Sequence, residues 1–276
     1  MIKVSIIIPT HLREKKCERT VYSILKQSYK NIEILISNDS EKDYDITKDV
    51  YKDKRVKYFK KIPEGFDANY SFLYKKAIGD YIYCLEDDDY LINPNIIKNA
   101  VEVIENNKNI NAVIMDYTLT YEDYLIKKSK NSILEILPGK IFFKKFPKMA
   151  NAYQHSQVIY KASLIKKIAK KEIKDNLGSV NTDALLFLMT CLEEGYIAHL
   201  HKIGYMLTFE KDNQSWGNYL NCFFGGNSYI QKVSKIAKDI IDIDIAKWKD
   251  TMEEEHIKHL LKYLPDYLEK NNLLND

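Results

Sequence analysis

Gly79-Asp80-Tyr81-Ile82-Tyr83-Cys84-Leu85-Glu86-Asp87-Asp88-Asp89 is the stretch on which the fold turns. An apolar run at 81–85 ends abruptly in four consecutive carboxylates. A short run of this kind reads as a strand, and unbroken apolarity fits one covered on both faces. Similar runs occur at 4–8, 32–36, 56–59 and 112–115. Between several of them the apolar residues take helical spacing. Val21, Ile24 and Leu25 share one face; Phe72, Leu73 and Ala77 mark a second; Ile96, Ile97, Val101 and Ile104 mark a third. Strands alternating with helices predict βαβ units with right-handed crossovers. The expected class is α/β, with a Rossmann-like, mostly parallel sheet flanked by helices.

Beyond residue 116 the pattern loosens into a lysine-rich stretch, with Pro138-Gly139 marking a turn. Residues 158–160 read as a strand followed by a basic helix from about Ser163. A helix is expected from Thr182 to about Glu194, with Gly195 as its C-cap. After Trp216 the spacing is helical to the end, with one stripe at Ile230, Val233, Ala237 and Ile240 and another at Ile257, Leu260, Leu261 and Leu264. These stripes suit a homodimer surface and packing on the chain's own core equally.

The 276 residues suit one large or two small domains. Hydrophobic content of 45% excludes a disordered chain. A net charge of +3 argues against a nucleic-acid-coating protein, for which a strongly basic domain is expected. The four cysteines stand far apart with no paired spacing, which indicates neither a zinc site nor a disulfide framework. No window reaches 18 apolar residues, and Pro9 ends the first apolar run, so a soluble cytoplasmic setting is expected. The near balance of charge hides a split. Residues 126–174 carry 13 lysines against two glutamates, a local +11, leaving −8 elsewhere. Phe142, Phe143 and Phe146 lie inside this stretch. Basic residues with aromatics suit peripheral contact with an anionic membrane, here its inner face, and a solvated lysine surface is the competing reading.

In open α/β sheets ligands bind beyond the carboxyl ends of the strands. Three polar clusters stand at such ends: Pro9-Thr10-His11, Ser37-Asn38-Asp39-Ser40, and the acidic run itself. Four adjacent carboxylates at a buried strand end repel one another and call for a cation. Hard ions such as Mg²⁺ or Mn²⁺ take carboxylate oxygens and are commonly shared with substrate phosphates. A metal–diphosphate site is the expected chemistry.

Taken in order, these motifs resemble the family 2 glycosyltransferases, inverting enzymes of GT-A fold that use nucleotide-diphosphate sugars. The resemblance covers about residues 3–215. It rests on Val4-Ser5-Ile6-Ile7-Ile8-Pro9-Thr10, Gln27-Ser28-Tyr29-Lys30-Asn31-Ile32-Glu33-Ile34, Asn38-Asp39-Ser40, the segment from Asn69 to Ile82, and Glu86-Asp87-Asp88-Asp89 at the Asp-x-Asp position. It implies that Asp39 contacts the base, where a carboxylate accepts the N3–H of uracil or thymine. Pro9, Thr10, Arg13 and Asn69 would join the nucleotide site. Asp88 would bind the metal, Mn²⁺ or Mg²⁺, with Asp87 and Glu86 on ribose or sugar hydroxyls or supporting the metal. Thr182-Asp183 stands where the family has a Glu-Asp pair, so Asp183 would be the general base; its competing reading is a helix-capping residue. The implied division is a donor half at 1–116, an acceptor and base half at 117–215 and a helical extension at 216–276. The implied acceptor is a surface glycan or a lipid-linked oligosaccharide.

Departures from the family pattern are specific. His11-Leu12-Arg13 replaces Tyr-Asn-Arg, and Phe209-Glu210-Lys211-Asp212-Asn213-Gln214-Ser215 replaces a Tyr-Arg-x-His-x-x-Ser segment. Asp212 therefore stands where a His is usual, and Lys211 is left to meet the diphosphate. His155 falls in the expected acceptor wall. A nucleotidyltransferase is the competing enzyme, opposed by the absence of glycine after the first strand. An inactive nucleotide-binding module is the competing non-enzyme, opposed by the joint retention of Asp39, Asp88 and Asp183.

Overall fold

The structure, a computed structural model, describes residues 1–60, 65–121, 124–127, 134–145, 154–168 and 183–208. Ten strands form one sheet: β1 (Val4–Thr10), β2 (Ile32–Asn38), β3 (Val56–Lys60), β4 (Tyr81–Cys84), β5 (Tyr90–Leu91), β6 (Ile110–Tyr121), β7 (Tyr124–Lys127), β8 (Leu134–Pro138), β9 (Val158–Lys161) and β10 (Tyr196–Thr208). Their order is β3-β2-β1-β4-β9-β6-β10-β5, with β7 on β6 and β8 on β10. Strands β1, β2, β3, β4, β6 and β10 share one direction, and β5, β7, β8 and β9 run against it. The parallel block β3-β2-β1-β4 is the part that the alternating pattern anticipates.

Both faces are covered, which explains why these strands read as unbroken apolar runs. Ile6, Ile8, Ile34 and Ile36 face one layer, containing α1 (Glu14–Leu25) and α4 (Ile96–Asn106); Cys17, Val21 and Ile24 pack there from α1, and Ile96, Ile97 and Val101 from α4. Ile7 and Leu35 alternate to the opposite layer. There they meet Tyr70, Leu73 and Tyr74 of α3 (Phe66–Lys76) and Ile165 and Ile168 of α6 (Ala162–Ile168). Side-chain period two meets helix period 3.6 on each face. Each isoleucine fully buried this way contributes roughly 1.5–3 kcal/mol. A four-residue helix, α2 (Asp49–Lys52), precedes β3.

Strand β9 inserts antiparallel between β4 and β6, so strands from the two halves read in the sequence share one sheet. Residues 139–145 form α5 (Gly139–Lys145), where the sequence suggests only a turn. The last described helix, α7 (Asp183–Leu192), ends before the expected Glu194. Asn111 Nδ2 reaches the Glu193 and Glu194 carbonyls at 3.4 and 3.0 Å, and Gly195 then turns the chain at φ 139° into β10.

Two of the three phenylalanines behind the membrane reading of 126–174 are withdrawn from it. Phe142 and Phe143 are fully buried, Phe142 edge-on to Phe187 of α7 at 6.1 Å, because α5 is amphipathic and turns them inward. Phe146 and the helical segment expected after residue 216, with its dimer surface, lie outside the described residues. No helix among the described residues is long and apolar enough to cross a membrane.

Candidate functional site

The carboxyl ends of β1, β2 and β4 lie side by side, because β1 pairs in parallel with both neighbours. Their polar extensions therefore meet at one edge of the sheet. After β4 the chain folds into a tight turn in which the Asp89 N–H donates to the Glu86 carbonyl at 3.2 Å. Arg19 Nη2 donates to the Asp88 carbonyl at 2.7 Å, and Thr20 Oγ1 lies 3.0 Å from that of Asp87. Helix α1 thus grips this turn by its backbone, leaving the side chains to point elsewhere.

The four carboxylates do not face one point. Asp87 and Asp88 converge on a single nitrogen, Arg13 Nη1, at 3.1 and 2.9 Å. Glu86 accepts from the Tyr70 hydroxyl, and its backbone N–H donates to Ser156 Oγ at 3.0 Å. Asp89 is buried and accepts the Thr208 N–H at 3.1 Å from the end of β10. Burial, followed by the charge of Asp88, holds the Asp89 carboxyl well above the usual range. The expectation that the whole run gathers on one cation therefore narrows to Asp87 and Asp88. Burial is also the largest influence on Asp87, with the Asp88 charge adding to it. Against the pull of Arg13 they push its carboxyl up to about 6.

A hydrogen-bond chain ties this turn to β1. The Arg13 N–H donates to the Tyr44 hydroxyl at 2.9 Å. Tyr44 lies 2.6 Å from Thr10 Oγ1, which donates to Asp87 Oδ2 at 2.6 Å. Leu12 makes the geometry available. It sits at φ 56°, a left-handed conformation that costs a leucine about 1–2 kcal/mol, and the chain reverses there. Arg13 consequently turns to the acidic pair while His11 turns to Asp39, its Nδ1 2.9 Å from Asp39 Oδ1. The other Asp39 oxygen accepts the Gly65 N–H at 3.2 Å, which Gly65 presents at φ 103°, a conformation suited to glycine. Beside Asp39, Asn69 Nδ2 donates to the Ser37 carbonyl at 3.2 Å. Asn69 Oδ1 and Ser37 Oγ are buried without a partner among the described residues.

Pro9, Thr10, Arg13, Asp39, Asn69, Glu86, Asp87 and Asp88 are thus brought to one sheet edge. His155 joins them from the short helix before β9. It is buried, its ring 4.7 Å from that of Tyr70, which holds Glu86. Asp183 opens α7, whose Leu186 and Phe187 anchor in the core. Lys211 and Asp212 lie outside the described residues. Sequence reasoning missed Arg19, Tyr44, Tyr70 and Ser156. Arginine scarcity was a usable signal: the chain has three, and Arg13 and Arg19 both bind the acidic turn. The tyrosines carried none, because their partners lie 16 to 34 residues away and 21 tyrosines are spread through the chain.

The edge also fits a divalent cation. Its donors are hard carboxylate oxygens, and the Arg13 guanidinium, held by both Asp87 and Asp88, marks where positive charge is stabilised.

The family described as Glycosyl transferase family 2 matches residues 5–168. An uncharacterized glycosyltransferase of Rickettsia conorii is 39% identical over 107 residues, 38% of this chain and 18% of the relative. The UDP-Glc:alpha-D-GlcNAc-diphosphoundecaprenol beta-1,3-glucosyltransferase WfaP of Escherichia coli is 34% identical over 128 residues, 45% of this chain and 47% of the relative. The matched stretches thus span less than half of either relative. Staphylococcus aureus TarS 1-349, solved in complex with UDP-GlcNAc, superposes with a TM-score of 0.65 at 17% identity, covering 95% of this chain and 73% of that one. That likeness concerns the fold, which is of GT-A type. Motif order, sheet-edge geometry and the family match over more than half the sequence agree: the chain belongs to glycosyl transferase family 2.

Proposed function

We propose that the protein is an inverting glycosyltransferase that moves a sugar from a nucleotide-diphosphate sugar, a UDP-sugar before all others, to a hydroxyl of a lipid-linked glycan in bacterial surface-polysaccharide synthesis. One observation carries this reading. The base-reading carboxylate Asp39 and the acidic pair Asp87 and Asp88 flank one short segment, Thr10 to Arg13, at the end of β1. A nucleoside diphosphate needs such a pairing, with an acceptor for the base at one end and a cation position for the phosphates at the other.

In this reading the N3–H of uracil takes the Asp39 oxygen now facing His11, whose exposed ring is free to swing aside. Pro9 and Thr10 frame the nucleoside. The unmet acceptor on Asn69 and the hydroxyl of Ser37 supply polar capacity next to it. Asp88 would hold Mn²⁺ or Mg²⁺, with Asp87 and Glu86 directed to ribose or sugar hydroxyls. When bound, the metal neutralises charge on the leaving diphosphate. Asp183 would take the acceptor hydroxyl proton from the face opposite that leaving group. Residues 1–116 would serve the donor and 117–215 the acceptor, with Lys211 and Asp212 as candidate contacts to the diphosphate or the acceptor. The activity for which WfaP is named and the TarS complex with UDP-GlcNAc support a UDP-sugar donor, and WfaP supports an undecaprenyl-diphosphate-linked acceptor. With a lipid-linked acceptor, the transfer would take place at the inner membrane face.

The test is transfer from UDP-sugars to a diphosphoundecaprenol-linked saccharide, with the product anomer read by NMR. An inverted linkage is expected. Asp183→Asn should lower kcat by at least about 10²-fold while leaving the UDP dissociation constant unchanged. Full activity in that variant would remove Asp183 as the base, and a retained configuration would remove the inverting mechanism.

A further inference from the structure

Away from the acidic turn, three ligand-type side chains converge on the face of the sheet that α5 covers. Asp116 lies on β6, and His199 and His201 lie on the neighbouring β10. His199 Nε2 stands 2.9 Å from Asp116 Oδ1, and His201 Nδ1 stands 3.7 Å from Asp116 Oδ2. Both oxygens of one carboxylate are thus engaged by two imidazoles. Their donor atoms all fall within 4.8 Å of one another. The side chains are largely withdrawn from water, with 2%, 5% and 13% exposure for His199, His201 and Asp116.

The backbone is shaped to produce this convergence. Residues two apart in a regular strand stand about 7 Å apart, whereas the two imidazole rings lie 3.9 Å apart. Strand β10 shifts register against β6 between Leu200 and Ile203, and again between Ile203 and Tyr205. Bulges of this kind re-aim side chains and concentrate near functional sites. Ligand bonds of about 2.0–2.2 Å in a tetrahedral site place ligand atoms about 3.3–3.6 Å from one another. The two nitrogen–oxygen separations, one to each oxygen of Asp116, fall on either side of that edge. Glu135 stands directly opposite His199 on β8, on the same face, where a fourth ligand would come from.

We propose that Asp116, His199 and His201 form a transition-metal site of zinc type that ties β10 to β6 beneath α5. Imidazole nitrogens with a carboxylate select zinc, cobalt or nickel, whereas the all-oxygen pair Asp87 and Asp88 suits magnesium or manganese. The two sites therefore differ in chemistry as well as place, and this one does not depend on the glycosyl-transfer reading. It fastens the strand whose far end holds Asp89 through the Thr208 N–H, so its ion supports the acidic turn from behind.

The full chain, stripped with a chelator, is titrated with Co²⁺, and zinc retained after desalting is measured by mass spectrometry. Expected are the intense visible bands of low-coordinate Co²⁺ and about one zinc per chain. Affinity should fall more than about tenfold in His201→Asn and His199→Gln and stay unchanged in Asp88→Asn. Circular dichroism checks that the variants fold. Should either histidine variant unfold, the wild-type cobalt spectrum decides. The faint bands of octahedral cobalt, no retained zinc, or loss confined to Asp88→Asn would each overturn the proposal.

Discussion

Arg13 is the residue on which the candidate site balances. It is the cation shared by two nearly buried aspartates, and removing it would leave both without that partner. Breaking a fully buried pair costs about 3–5 kcal/mol; with Arg13 one-fifth exposed, Arg13→Met is expected to cost about 2 kcal/mol in metal-free protein. Urea denaturation with and without Mn²⁺ checks this, since an added cation should recover part of the loss. Glu33 is a structural counterpart. Burial favours its neutral form, but Ser5 Oγ at 2.6 Å, the Ile78 N–H at 2.8 Å and Lys57 at 3.0 Å outweigh burial and hold its carboxyl below the ordinary range. A lowered value in the folded state stabilises above the unfolded value and is lost as pH falls through the folded one. The stability difference between wild type and Glu33→Gln should therefore be full at pH 7 and shrink below about pH 4.5. A constant difference across that range would show that the charge is not what Glu33 contributes.

At the scale of elements, the legible parts of the fold were those whose residues agree with their surroundings. β1, β2 and β4 are buried on both faces and were visible as apolar runs; α1 and α4 keep their apolar stripes against the sheet. β10 was missed because His199, His201, Lys202 and Gly204 interrupt its apolar pattern, although it is the longest strand among the described residues and pairs along most of β6. Its polar residues answer to partners across the sheet, which local spacing does not reveal. In the site, Asp39, Asp87 and Asp88 were legible because they follow predicted strands. The tyrosines that orient Thr10 and Glu86 were not, since only tertiary packing brings them close. The entry to β4 shows how tightly these elements fit. A Cβ on Gly79 would stand 2.7 Å from the Ser5 backbone nitrogen and 2.8 Å from the Lys3 carbonyl. Gly79→Ala should therefore force β1 and β4 apart and lower stability by about 1–3 kcal/mol in chemical denaturation.

At the scale of the whole molecule, charge and architecture divide the work. The parallel block carries an acidic sheet edge, while the lysine excess lies in 126–174, on the half proposed to receive the acceptor. Phe142 and Phe143 are buried in the core of that half, so neither adds to any attraction toward an anionic acceptor. The proposed donor site is the part on which the proposed glycosyl transfer depends. Its most direct measurement is a thermal shift with UDP, dTDP, GDP and CDP, each with and without Mn²⁺, on wild type and Asp39→Asn. The account predicts stabilisation by UDP that strengthens with Mn²⁺, of about 2.7 kcal/mol at 100 times the dissociation constant, and that collapses in Asp39→Asn. No stabilisation of the wild type by any nucleoside diphosphate, or an equal response in Asp39→Asn, would contradict it.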